Sequence, residues 1–535
     1  MPRLVWGLWV LLALSALLLA SCSDAGPSAP TIVIIESERP YLERALELGA
    51  ELLAPYGIKV AAAAPGDEPH ITIGQQVEAG SHPFVTRYWV VVTGLSNQWR
   101  NPLGQKSVAF DRLSDLHLIV PDSPTPPLQE WNAAPSLEVL PLDEIPDALQ
   151  DNPEAFALLP LGSVDARVQS ILVGSAGAVF DDAGAQYPLV ERVWVSAAAH
   201  ENDDFALLLQ QTKRAIAKSL KSEYARPDPI ILRATGDIIP ARCVYAKQRD
   251  YDDFAHAFRN LGSWLSQADI TVGSLDASIS DAGRPFGCTP TFNLLAPAQS
   301  VDGLVYAGFD VITVATNHAK DCGQDSCGDQ AFFDTLDILR SNGMEPVGGG
   351  VDLAEARRPA IVEVRGVTFA FLGADQIASY YHATDSVPGV APLTEAFLRE
   401  DVAAAAVLAD VVVVLPQWGV EYTNHPTMSQ QTLAAAAAEA GADLVIGNHP
   451  HWVQAVEVID GTYVAYALGN FVFDQDWSTP TQQGVVLEAA FHGAELKGVR
   501  LHPIRINDQY QPGSADPAEA SEILGRIWAA SAALP

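Results

Sequence analysis

Two histidines one residue apart, His449 and His451, stand in the run Gly447-Asn448-His449-Pro450-His451. The three residues before it, 444–446, are apolar and partly β-branched and read as a short buried strand. On extended backbone, residues i and i+2 point the same way. Two imidazoles leaving a strand tip on one side can therefore grip one cation, and Pro450 stiffens the link between them. A single surface histidine carries no such message; the pair in this loop raises metal or anion binding as a hypothesis that the rest of the chain must support.

Four other short apolar runs end in residues of the same chemical kind. Residues 230–234 lead into Thr235-Gly236-Asp237, and 270–272 into Gly273-Ser274-Leu275-Asp276. Residues 311–314 lead into Ala315-Thr316-Asn317-His318-Ala319-Lys320-Asp321, and 411–415 into Pro416-Gln417-Trp418-Gly419-Val420-Glu421. In α/β sheets ligands bind beyond the carboxyl ends of the strands. Mixed oxygen and nitrogen donors suit Zn, Mn or Fe rather than Ca.

The elements that must position these residues alternate between strand and helix from residue 230 to about 506. Helices are expected over 251–267, 328–341 and 428–440, which argues for a layered α/β domain. Residues 456–459 and 463–466 flank Asp460-Gly461 and read as a hairpin. It leads to Gly469-Asn470 and on to Asp474, with Asn470 as a turn residue supporting the site. A final helical pattern covers 517–534. Residues 31–226 read as a separate α/β domain of short strands with helices over 41–53 and 203–221.

With 535 residues, more than one domain is expected. A formal net charge of -34 repels phosphate backbones, so nucleic acid is excluded as a partner. Any acidic substrate needs a local positive feature, a metal or an arginine. At the N-terminus Arg3 precedes an apolar stretch over 5–19, too short for a stable membrane span. Leu19-Ala20-Ser21-Cys22 then resembles a bacterial lipoprotein signal, with Cys22 as the lipidated residue and 23–30 as a linker; a plain secretory signal is the alternative. Either reading makes the protein extracytoplasmic, and lipidation anchors it to the membrane.

Four cysteines remain, Cys243, Cys288, Cys322 and Cys327. In an exported chain an even number suggests disulfides. Cys322 and Cys327 flank a small loop and can pair, leaving Cys243 with Cys288. A cysteine metal cluster is the alternative, but the spacings do not match a zinc ribbon.

Several of these stretches together resemble one family. Gly236-Asp237-Ile238-Ile239-Pro240-Ala241-Arg242, Gly308-Phe309-Asp310, Asn317 to Gly323, Trp418 to Tyr422, Gly447 to His451 and Ala467 to Phe473 are similar to the motif set of the CapA poly-γ-glutamate capsule synthesis proteins. That family is related to the calcineurin-like metallophosphoesterases. The resemblance covers about residues 230–506, within a domain expected over 227–535, and implies a four-layer α/β sandwich with a metal centre between two sheets. Asp237, Asp276, Asn317, His449 and His451 would then be ligands of one or two divalent ions, Mn, Zn or Fe. His318 would protonate a leaving group, and Arg242 would help hold an anionic substrate. Asp321 would orient Arg242 or cap a helix. Gln417 and Glu421 would stand near the site.

The pattern also departs from the family. Ser274-Leu275-Asp276 replaces Asn-Leu-Glu, Gln417-Trp418-Gly419 replaces His-Trp-Gly, and Asp237-Ile238-Ile239 lacks the histidine of Asp-x-His. Each change shortens or weakens a ligand and puts a full two-metal centre in question. The implied chemistry is metal-assisted hydrolysis or transfer on an anionic envelope polymer such as poly-γ-glutamate, alongside capsule-synthesis membrane proteins. Two other readings stand beside it. One is a non-catalytic lipoprotein that tethers the polymer. The other is a solute-binding receptor, because Ala157 to Arg167 and Tyr187-Pro188-Leu189 resemble an extracytoplasmic solute-binding domain.

Overall fold

The computed structural model describes residues 31–36, 39–64, 68–74, 81–97, 106–129, 131, 133–152, 154–181, 187–223 and 225–535. The signal over 1–22 with Cys22, and the linker 23–30, lie outside the described residues. Among the described residues no helix is long and apolar enough to cross a membrane.

The chain divides into two compact units, one of 1–89 with 189–226 and one of 90–188 with 227–535. The grouping therefore differs from a single boundary at residue 226. The intervening stretch 90–188 belongs with the second half, and its strands had been assigned to the first domain because their local pattern is the same.

In the first unit, strand Thr31–Glu36 pairs in parallel with Lys59–Ala62 and Ile71–Gly74. Val190–Ala197 joins antiparallel to Ile71–Gly74. Helices Arg39–Leu53 and Asp203–Glu223 supply Ala45, Leu53, Leu209 and Ile216 to a core with Ile71, Ile73, Val193 and Val195. The alternating burial of Ile71 and Ile73 is what a half-covered strand requires.

Within the second unit, residues 227–535 are built on two large sheets. In the first, the order is Glu345–Val347, Val311–Thr313, Ile270–Leu275, Ile230–Ile238, Gln483–His492, Glu495–Ile506, Pro512–Ser514. The four strands from Glu345–Val347 to Ile230–Ile238 are parallel, and the last three join antiparallel. In the second, the order is Ala360–Val364, Val367–Asp375, Val411–Gln417, Leu444–Ile446, Thr462–Ala465, Val456–Ile459, with the four middle strands parallel. Both are near-continuous apolar runs, as expected of sheets covered on both faces.

One core joins the two sheets. Leu232, Val272 and Leu487 of the first pack with Phe369, Phe371, Val413 and Leu444 of the second. Helices Gln330–Ser341 and Val301–Ala307 cover the far side of the first sheet through Phe332, Leu336, Leu339 and Leu304. Helices Glu395–Leu408 and Met428–Ala440 cover the far side of the second through Leu398, Val402 and Leu433. The layers thus run helix, sheet, sheet, helix, a four-layer α/β sandwich.

The helix expected over 251–267 is not formed as one piece: a helix Arg242–Asp250 ends just before it, and the stretch itself holds only a turn at His256–Phe258 and a short helix Gly262–Leu265. Asp252 takes φ of 52°, which an uninterrupted helix does not allow.

Candidate metal centre

The strands run further than their apolar cores suggest, and this carries the polar residues into the sheets themselves. Ile230–Ile238 includes Asp237, Ile270–Leu275 stops one residue before Asp276, and Val411–Gln417 ends on Gln417. Asp237 pairs in register with Ser274 on one side and Asn470 on the other. Asn470 is thus a strand residue, not a turn. Asp237 and Asp276 are both fully buried. Gly236 allows this close weave, since a Cβ there would collide with the Gly469 carbonyl.

His449 and His451 arrive from the other sheet. Their backbone is not extended: φ is 95° at His449 and 58° at His451. The side chains therefore do not share a face by strand alternation. The loop turns sharply, and its two rings lie 5.9 Å apart. Left-handed backbone at non-glycine residues costs free energy and is held by its surroundings. Here the Asp237 carboxylate accepts the His449 amide at 3.3 Å, and His451 Nδ1 lies 3.2 Å from Asp237 Oδ2 and 2.9 Å from Asn470 Oδ1. His451 is thus gripped through Nδ1, which leaves Nε2 for a ligand.

Two amides link the sheets. Gln417 Nε2 donates to Asn317 Oδ1 at 3.0 Å. Asn317 keeps a second lone pair on that oxygen. Gln417, at the position of a family histidine, is thus part of the cluster.

His318 is oriented by a carboxylate. Its Nδ1 lies 2.7 Å from Asp321 Oδ2. Asp321 therefore braces His318, whereas the sequence reading has it orienting Arg242 or capping a helix. The guanidinium of Arg242 is committed elsewhere: it forms an ion pair with Asp474, donates to the Thr291 carbonyl at 2.8 Å and lies 4.8 Å from the Phe473 ring centre. Asp474 also accepts the Cys243 amide. The structure joins Cys243 to Cys288 and Cys322 to Cys327. Glu421 makes no direct bond to these groups, and its charge acts on His451.

The electrostatics follow from burial. Asp276 is raised, first by burial and then by the charge of Asp237, against the pull of His318 and His451. His449 is pushed down to about 3 by burial, with the charges of His451 and His318 adding to it. His451 and His318 are raised: burial opposes their charged forms, but the bonds and charges of Asp237 and Asp276 for the one, and of Asp276 and Asp321 for the other, outweigh it.

What the protein leaves unsatisfied here is mostly acceptors, beside the hydroxyls of Thr235 and Ser274 and the indole N–H of Trp452. Asp237 Oδ1, both oxygens of Asp276, Gln417 Oε1, Asn448 Oδ1 and His449 Nδ1 are buried without a hydrogen-bond partner. Nearly all buried polar groups in folded proteins are paired, and each orphan costs roughly 1–3 kcal/mol, more when charged. Five of these atoms are oxygens that accept, and the neutral His449 ring has an acceptor nitrogen. Among the described residues no three His, Cys, Asp or Glu side chains are grouped so as to hold a metal ion by themselves. The expected five-ligand set is therefore not closed by carboxylates and imidazoles alone. The surplus of acceptors includes amide oxygens, and a cation satisfies acceptors of either kind at once. On that ground the residues present fit a divalent ion.

Two participants escaped the sequence reading. The sequence reading gives Asn448 no role, though its place inside Gly447-Asn448-His449-Pro450-His451 is a signal. Asp375 ends the strand Val367–Asp375, pairs in register with Gln417, is fully buried and has an orphan Oδ1. Its signal was the same apolar run followed by an acid that marked the other strand ends.

A helix-sheet-sheet-helix sandwich with carboxylate, amide and imidazole groups gathered at its parallel strand ends defines a four-layer α/β protein with a candidate metal centre. Residues 231–475 match the family described as bacterial capsule synthesis protein PGA_cap. The PGA biosynthesis protein CapA of Bacillus subtilis is 31% identical over 274 residues, covering 50% of this chain and 70% of that protein. The capsule biosynthesis protein CapA of Bacillus anthracis is 28% identical over 313 residues, 57% of this chain and 74% of that one. The chain belongs to the CapA-type capsule synthesis family. Among solved structures, a 5'-nucleotidase precursor from Thermus thermophilus aligns with a TM-score of 0.33 at 15% identity, over 55% of this chain and 57% of that chain.

Proposed function

We propose that this protein takes part in making poly-γ-glutamate or a related anionic capsule polymer outside the cytoplasm, by metal-dependent hydrolysis or transfer at a phosphoester or amide. What carries the reading is the set of buried acceptors without donors on Asp237, Asp276, Gln417, Asn448 and His449. Asp237, Asp276, Asn317, His449 and His451 would hold the ion, with Gln417 beside them. A bound divalent ion supplies Lewis acidity towards a phosphoryl or carbonyl oxygen.

The remaining work falls to side chains. His318, fixed through Nδ1 by Asp321, has one nitrogen left to give a proton to a departing group. The charges of Asp276 and Asp321 raise its affinity for the proton against the opposing effect of burial. Burial of Asp237 and Asp276 keeps water from competing for the bound anion. The Arg242–Asp474 pair anchors the loop beside them.

The test is metal content of the purified chain and of a His449→Ala, His451→Ala double variant. Stoichiometric Mn, Zn or Fe in the first and its loss in the second is the expected result. No metal in either, even after reconstitution, would leave the polymer-tethering reading, which the weaker Gln417 donor favours. We also infer lipidation at Cys22, supported by the Leu19-Ala20-Ser21-Cys22 run. Fatty-acid label surviving Cys22→Ala would sink that idea.

A further inference from the structure

A cavity of about 240 Å³ lies in the second unit, walled by Lys106 and Gln169 from the stretch 90–188 and by Tyr463, Arg500, His502 and Trp528 from the sandwich. None of the residues lining it is acidic, in a chain with 65 Asp and Glu against 31 Lys and Arg. None of them belongs to the metal centre.

Arg500 is the residue that asks for a ligand. Its side chain is 30% exposed, and among the described residues no hydrogen bond from its guanidinium is found. The nearest carboxylate oxygen, Glu488 Oε2, is 3.8 Å away. That carboxylate is already taken: Oε1 accepts from Arg233 Nε and Nη2 at 2.9 and 2.8 Å, and Oε2 lies 3.0 Å from His502 Nε2. The guanidinium is held in place instead by the Phe180 ring, with its carbon 3.7 Å from the ring centre. A cation fixed on an aromatic face, partly desolvated and without a bonded anion, is a preformed anion hook. Burial also pulls its proton affinity down, against the charges of Glu488 and Asp181, as expected of an under-compensated cation. Lys106 Nζ adds a second positive group and is oriented by the Asn97 carbonyl at 2.8 Å and by Gln169.

The other walls limit what the anion is. Leu172, Val499, Leu501 and Leu524 line the space along with Trp528. They favour a ligand with an aliphatic part, which inorganic phosphate lacks. The volume lies below the roughly 300–1,000 Å³ of sites that take drug-sized ligands. We propose that this cavity binds a small aliphatic carboxylate of about the size of glutamate, through Arg500 with support from Lys106, its methylenes lying against Trp528. The proposal does not rest on the metal centre.

The test is calorimetric titration of the full chain, in the presence of a chelator, with L-glutamate, glutarate and inorganic phosphate. Binding of a carboxylate with a Kd tighter than about 10 mM is expected, together with quenching or shift of tryptophan emission. Arg500→Met should weaken it by about tenfold or more, the worth of a charge-assisted bond, and Arg500→Lys by less. Lys106→Met, away from the Phe180 stack, serves as a second variant should Arg500→Met not fold, and it too should weaken binding. Carboxylate affinity unchanged in folded Arg500→Met and Lys106→Met overturns the site. Binding of phosphate alone overturns the carboxylate class, and binding of neither overturns the proposal.

Discussion

His318 Nδ1 lies 2.7 Å from Asp321 Oδ2, and the same oxygen accepts the Leu294 amide at 2.6 Å. The carboxylate is thereby fixed by the backbone before it fixes the ring. If His318 is the proton donor, Asp321→Asn should lower kcat on bis(p-nitrophenyl) phosphate with Mn by about a hundredfold, the range that general acids contribute. KM should change little. Combining it with His318→Ala should cost no more than His318→Ala alone, because the two act as one unit. Full additivity of the two losses would separate Asp321 from the proton transfer.

Gln417 stands where the family's histidine is expected, with its Oε1 buried and unpartnered. Gln417→His should tighten Mn or Zn binding on the order of tenfold, since imidazole is the stronger donor, even though the bond to Asn317 is lost. Competition titration against a chelating dye measures this. An unchanged or weaker affinity would mean that position 417 does not face the ion.

Stability should depend on acid through Glu488. Burial works to raise this carboxyl, but the bonds and charges of His502 and Arg233 outweigh it and hold it at about 2 against an ordinary 4.5. A depressed folded value means the stabilisation is complete above about pH 4.5 and is lost as pH falls towards 2. The side chain is only 7% exposed, so the effect is on the order of 3 kcal/mol. Urea denaturation should find Glu488→Gln less stable than wild type at pH 7, with the gap closing between pH 4.5 and 2. A gap that is constant with pH would rule out this ion cluster as its source.

The two disulfides close loops of very different length, with separations of 45 and 5 residues. On chain entropy alone, Cys243→Ser with Cys288→Ser should cost about 4 kcal/mol and Cys322→Ser with Cys327→Ser about 2 kcal/mol. Thermal unfolding of the two double variants should rank them in that order. The reverse ranking would point to native-state packing at Cys322, which is buried.

Much of the sandwich was legible because its strands are short, apolar and end in chemically distinctive residues. Leu444–Ile446 and Met428–Ala440 fall where the pattern put them, the latter framed by Thr427 and Gln430 as a capping box. What could not be read is whatever depends on distant partners. Arg242 looks like an anion hook in isolation; only folding brings Asp474 to it across 232 residues. Asp321 is expected from the sequence to orient Arg242 or cap a helix, and only the side-chain geometry gives it to His318. The histidine loop was read as extended because period-two alternation is the default after a strand, whereas a contact to Asp237, 212 residues away, bends it. The stretch 90–188 shows the same limit on a larger scale. Its strands announce themselves, but not the body they join.

That last point bears on how the molecule comes into being. The Val179 carbonyl meets His492 across 313 residues and the Gly162 carbonyl meets Lys497 across 335. A chain emerging N-terminus first must hold the earlier strands without their partners until residues 492–497 have appeared. Closing loops of that length is slow, because their entropy is lost before the contacts form. Assembly of the second unit is therefore tied to synthesis of residues 492–497, and a product truncated before residue 492 should remain in need of a holdase rather than fold in part.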